Sequence, residues 1–223
     1  MNKLPLLQTL KDGCIVGLKN FPSLLGTVCL YVLTCWIPYL NVGTTIAICS
    51  IPVELSKGHI INPTFIFDGK YRRNMGEFFI IVGLMSMALA PAYALGIIPG
   101  IVLSYAWSLA IFLFIDKNAT ALEALRRSNE LTYGYKWRIF GLEILLGLAF
   151  AVIVCVFAAI FTALDWEVVG AIVTFILTFL LMPIALGLDA VIYRNLTEEP
   201  VAAEDKPADE ENVQEAIVEE VKE

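Results

Sequence analysis

Residues 125–143 read LRRSNELTYGYKWRIFGLE, and residues 144–164 behind them carry no charged side chain. A basic, aromatic segment standing at the mouth of an uncharged run that long is the pattern of a helix entering a membrane. Lys and Arg stay at the cytoplasmic surface, Trp and Tyr sit at the headgroup level, and the apolar run crosses the hydrocarbon. The rest of the chain follows the same pattern. Of 223 residues, 58% are hydrophobic and 17% charged, where soluble domains carry about a quarter charged. Composition therefore points to an all-α membrane protein.

The net charge of -7 belongs to one appendage. From Asn195 onward the chain holds eleven Asp and Glu against Lys206 and Lys222, whereas residues 1–194 hold thirteen basic and eleven acidic side chains. The reading is a membrane domain over residues 1–194 and an acidic tail over 195–223. With no aromatic residue and dense acid, the tail is expected to be disordered; Val213, Ile217 and Val221 in it have the spacing of a short partner-binding helix. The five cysteines form no C-x-x-C pair and match no metal-site spacing, so they read as small apolar packing residues.

A hydrocarbon core of about 30 Å asks for about 20 apolar residues per helix. Six segments are expected to cross, as three tight hairpins: residues 23–40 with 42–55, 78–95 with 97–115, and 139–164 with 168–193; for 42–55, which is short and holds Pro52, a re-entrant half-helix is the alternative. None of the fifteen Lys and Arg falls in the turns at 41–43, 95–99 or 164–167. The positive-inside rule then places both termini and both long connections in the cytoplasm. Each hairpin is preceded by a segment that reads as a cytoplasmic interfacial amphipathic helix, at about 4–20, 63–72 and 120–133, which suggests a weak threefold repeat. In the first, Leu7, Leu10, Cys14, Leu18 and Phe21 form one stripe. In the third, Thr120 and Glu123 have capping-box spacing, Glu123 with Arg127 and Arg126 with Glu130 are i,i+4 pairs, and Gly134 suits a left-handed stop. The middle one has Asn62 and Pro63 as its start and Gly69 as its stop.

Candidate functional residues are few. Glu143 and Asp189 each lie five residues from a basic residue, Arg138 and Arg194, on the span side. Glu54 and Asp116 end the second and fourth spans. An ionisable group inside a span is costly unless paired or hydrated. Two readings follow: ion pairs of Glu143 with Lys136 or Arg138 and of Asp189 with Arg194, or a cytoplasmic-side cavity lined by these carboxylates. Lys70, Arg72, Arg73, Arg126, Arg127, Lys136, Trp137 and Arg138 are the candidate contacts to anionic lipid headgroups, at about 1 kcal/mol per basic residue near the surface. Small residues recur at four-residue spacing in Ser86, Ala90 and Ala94 and in Ala92, Gly96 and Gly100, as at helix–helix contacts. His59 is the only histidine, and no P-loop, H-E-x-x-H or G-x-S-x-G occurs. The expectation is a protein without enzymatic activity, cofactor or metal, and without a nucleic-acid partner. It organises or supports others in the membrane while gripping anionic lipid, with a second copy or another membrane protein as partner. The alternative is a small transporter with a carboxylate-lined cavity.

One motif set carries a resemblance. Ile97, Ile98, Pro99, Gly100, Ile101, Asp116, Ala124, Leu125, Ser128, Leu131, Gly134, Lys136 and Phe140 resemble the pattern of a group of bacterial polytopic membrane proteins of unknown function. A similar pattern occurs in the membrane domain of some glycerophosphodiester phosphodiesterases, whose catalytic domain has no counterpart here. The resemblance covers about a third of the chain; downstream, EILLG at 143–147 stands where one branch has Ser-Phe-Ile-Gly-Trp. It implies an inner-membrane helical bundle and brings no activity with it.

Overall fold

A computed structural model of the protein describes residues 4–198; the acidic tail beyond, including Val213, Ile217 and Val221, lies outside the described residues. Among the described residues there are ten α-helices and no strand. They are α1 (Leu6–Lys19), α2 (Phe21–Thr34), α3 (Leu40–Ser56), α4 (Gly69–Arg73), α5 (Met75–Leu95), α6 (Ile97–Ala106), α7 (Ala110–Lys117), α8 (Ala121–Thr132), α9 (Lys136–Ala163) and α10 (Glu167–Thr197), with a 3-10 turn at Pro63–Phe67.

Four helical segments are long and apolar enough to cross a membrane: Met75–Leu95, Ile97–Lys117, Lys136–Ala163 and Val168–Thr197. They form the second and third hairpins, closed by Gly96 and by residues 164–166. The first hairpin differs from the expected pair of spans. Its helices have 14 and 17 residues, reaching about 21 and 26 Å at 1.5 Å per residue, short of the ~30 Å core. The chain leaves α2 at Cys35, passes Pro38 and turns through Tyr39 at φ 72°, so Asn41–Gly43, the expected turn, is already helical. Counting α1 and α2 as one span bent by 75° brings the total to five. The bend falls at Asn20, whose side chain donates back to the Val16 carbonyl at 3.2 Å, with Pro22 in the next turn. The length rule counts apolar residues and is blind to such a bend.

Helix α1 packs along the C-terminal half of α10 through Thr9, Gly13 and Gly17, which are buried, while of the apolar stripe Leu7 and Leu18 are 80% and 57% exposed and Leu10, Cys14 and Phe21 half-buried. The contact is backbone on backbone. A Cβ on Gly17 would stand 2.6 Å from the Pro183 carbonyl oxygen and 2.8 Å from Ile184 Cα, and one on Gly13 would stand 2.8 Å from Leu188 Cα. Gly187 faces them with equally little room. Rows of small residues let helices approach in this way. By contrast Ser86, Ala90 and Ala94 are exposed.

Burial is concentrated at one end of the long helices. On α9 the buried residues are Ile139, Leu142 and Leu146; on α10 the buried hydrophobic run is Leu188 to Leu196. They close a core with Ile46 and Val53 of α3, Phe78 and Ile81 of α5, and Leu109, Leu113 and Phe114 around α7. Beyond it, Leu148, Val152, Val156 and Ile160 on α9 and Ile172, Phe175 and Ile176 on α10 are exposed. At about 25 cal/mol per Å² such a surface is unfavourable in water and neutral in hydrocarbon. The long connections are ordered. Asn62 caps the 3-10 turn through Thr64 N, and Asp68 caps α4 through Lys70 N, so Gly69 begins a helix where a stop was expected. Gly134, at φ 81°, separates α8 from α9 as expected. Thr120 occupies the N-cap of α8, but its side chain makes no capping bond; Arg126 meets Glu130 at 3.3 Å.

Candidate functional site: a carboxylate-lined cavity at a broken helix

The second span of the second hairpin is interrupted at Trp107–Leu109, between α6 and α7. Two serines around the break divert hydrogen bonds. Ser104 Oγ donates to the Gly100 carbonyl at 2.9 Å, and Ser108 Oγ donates to the Tyr105 carbonyl at 3.1 Å. Trp107 closes α6 at φ -111°, ψ 9°, and packs partly buried against the core. Backbone freed within a membrane needs partners from neighbouring helices, and α8 supplies them. Ser128 Oγ donates to the Ala106 carbonyl at 2.8 Å and accepts from Leu109 N at 3.2 Å, bridging the gap. Thr132, one turn on, shares its single Oγ1 proton between the Ser128 carbonyl at 2.9 Å and the same Ala106 oxygen at 3.3 Å. Both hydroxyls are fully buried.

Beside the break lies a cavity of about 140 Å³, lined by Ser108, Phe112, Ile139, Glu143, Asp189 and Ile192 among others. Glu143 occupies its exposed rim, and Asp189 is half-buried. Tyr105 OH donates to Glu143 Oε2 at 2.6 Å, its ring held edge-on by Phe140 with centroids 5.6 Å apart. The ion pairs expected from the sequence are not made. Lys136 Nζ donates to Asn129 Oδ1 at 2.8 Å, and the Arg138 guanidinium lies 5.9 Å over the Tyr135 ring. Among the described residues no salt bridge involves Glu143, Asp189 or Arg194. Two acids from α9 and α10 thus share one small space beside a broken helix, with a phenol and a serine hydroxyl as their polar company.

The other two candidate acids lie elsewhere. Asp116, its side chain 6% exposed, pairs with Lys57 Nζ at 2.5 Å and Lys117 Nζ at 3.3 Å and accepts from Tyr193 OH at 2.8 Å. It ties the ends of α3 and α7 to α10. Glu54 Oε2 meets His59 Nδ1 at 2.8 Å and lines a second, separate pocket. Of the candidate headgroup contacts, Lys70, Arg72, Arg73, Arg126, Arg127, Trp137 and Arg138 are exposed and Lys136 is half-buried, spread over α4, α8 and the first turn of α9. Among the described residues no three His, Cys, Asp or Glu side chains converge as a metal site.

Tyr105, Ser108, Ser128, Lys57 and Tyr193 were not legible as site residues. A signal existed for the two tyrosines, because a buried phenol needs a hydrogen-bond partner and each has found an acid. Ser128 stood among the positions of the resemblance, but its role was not legible, since its partners lie on a helix break that the apolar pattern of residues 97–115 conceals. No protein-family model, curated protein or solved structure matches this chain.

Proposed function

We propose that the protein is a non-enzymatic multi-pass protein of a bacterial inner membrane, with both termini in the cytoplasm, that takes up a proton or a small cation at the Glu143–Asp189 cavity. It is in this sense carrier-like. The observation that supports the reading is the convergence of these two acids beside a broken span without a cationic partner. Discontinuous membrane helices are where transporters place ion sites, because the break turns backbone and side-chain dipoles toward the ligand. Unpaired acids inside a span mark ion or proton paths. Tyr105 would orient Glu143, and Ser108 would supply a neutral oxygen.

The test is proton flux into proteoliposomes under a potassium-diffusion potential, read by a pH-sensitive dye, with sodium present or absent. Flux above empty vesicles that falls to background in Glu143→Gln and Asp189→Asn supports the reading; flux equal to empty vesicles, or unchanged in both variants, overturns it. A second reading, a membrane-organising module that grips anionic lipid, is favoured by the exposed basic residues of α4, α8 and α9. It predicts that Arg126→Gln with Arg127→Gln abolishes the cellular phenotype while the acid variants leave it intact. The resemblance of residues 97–140 to bacterial membrane proteins of unknown function is compatible with both.

A further inference from the structure

A second pocket, of about 220 Å³, opens where α3, α4 and α7 end together. One wall is a single face of α3, with Ile46 and Glu54 two turns apart; the others bring Lys70 and Asn74 from the second hairpin's approach and Phe114 and Asn118 from α7. From Glu54 to Ile46 the wall descends about 12 Å at 1.5 Å per residue, so polar groups ring the mouth and apolar ones form the floor. Tyr71 also lines the pocket, its OH accepting from Ser50 Oγ at 3.0 Å.

The charges at the mouth are of both signs. Glu54 gives Oε2 to His59 at 2.8 Å, which leaves Oε1 free for another donor. Lys70 lies 3.8 Å from Asp68 and 4.9 Å over the Tyr71 ring, with its side chain 60% exposed. Neighbouring Lys57 and Lys117 are engaged by Asp116. One acid with a free oxygen and one exposed ammonium that no carboxylate engages closely, with Ile46 and Phe114 in the same lining, suit a ligand with a cation and an anion a few bonds apart, mounted on an apolar body. A purely anionic headgroup would meet Lys70 but set its charge against Glu54. We propose that this pocket binds a phosphoethanolamine headgroup, with Lys70 on the phosphate and Glu54 accepting hydrogen bonds from the primary ammonium, the supplier being phosphatidylethanolamine of the surrounding membrane. The site is independent of the Glu143–Asp189 cavity and of whatever passes there.

Native mass spectrometry of the full-length protein in mild detergent tests it, with dioleoyl-phosphatidylethanolamine, -phosphatidylcholine and -phosphatidylglycerol offered at equal concentration and soluble phosphoethanolamine in a separate arm. The ethanolamine lipid should be retained about tenfold over the choline lipid, whose quaternary nitrogen has no hydrogen to give Glu54. Glu54→Gln and Lys70→Met should each reduce that retention about tenfold, and Lys70→Arg should keep most of it. Retention of soluble phosphoethanolamine with the same dependence on both residues would support the site and identify the free headgroup as its source. Equal retention of all three lipids, a preference for the glycerol lipid, or an ethanolamine preference that survives both variants would overturn the assignment. Lys70 is exposed, so Lys70→Met should fold even where Glu54→Gln does not.

Discussion

Replacing Ser128 with alanine removes one oxygen and strands the backbone N–H of Leu109, whose bond to Ser128 Oγ is 3.2 Å long and fully enclosed. A buried donor left without a partner costs about 1–3 kcal/mol. The Ala106 carbonyl loses its 2.8 Å bond from Ser128 but keeps Thr132 at 3.3 Å, so its share is small. Side-chain hydrogen bonds in membrane proteins average about 0.6 kcal/mol with a maximum near 1.7, which draws the expected loss to about 1–2 kcal/mol. For a chain of this size that is a melting shift of roughly 2–8 °C. Thr132→Val alone should cost about 0.5 kcal/mol, because Ser128 still holds Ala106. Together the two should cost more than their sum, by about 0.5–1 kcal/mol, as neighbours sharing an acceptor do. Fluorescence-detected unfolding in mild detergent measures all three. A Ser128→Ala protein that melts within about 1 °C of the parent, with additive behaviour in the double variant, would refute the claim that α8 stitches the break.

Gly17→Leu should prevent α1 from seating on α10, because its Cβ alone meets the Pro183 and Ile184 backbone; overpacking of this kind costs about 1–3 kcal/mol or more, whereas Gly147→Ala, which meets open space, should be neutral or slightly stabilising in the same melt. Gly134→Ala puts a side chain at φ 81° between α8 and α9 and should cost about 1 kcal/mol; proteolysis near Gly134 should accelerate, and an unchanged digestion rate would contradict the strain.

The two long hairpins were legible because their signals are local: an uncharged run, a glycine or an Asp-Trp-Glu turn between runs, and basic residues outside them. Gly134 was legible for the same reason. The first hairpin was not, since Pro38, Tyr39 and the Asn20 bend shorten helices without lowering their apolar content. The seat of α1 on α10 was not legible because glycine carries no hydropathy signal, so Gly13 and Gly17 stood out in no pattern. At the site, the similar depth of Glu143 and Asp189 could be counted from Arg138 and Arg194. Their lack of cationic partners could not, because Lys136 and Arg138 chose Asn129 and Tyr135 for reasons of side-chain reach that spacing does not reveal.

The glycine seat of α1 also sets a schedule for biogenesis. Gly13 and Gly17 leave the ribosome about 170 residues before the backbone they fit, Pro183 to Leu188. Until then α1 must wait unseated, its bare backbone open to the wrong neighbours, and contacts so distant in sequence form late. Arrival of α10 is therefore the event that seats α1, and a ribosome that stops before Pro183 releases a chain with α1 still adrift.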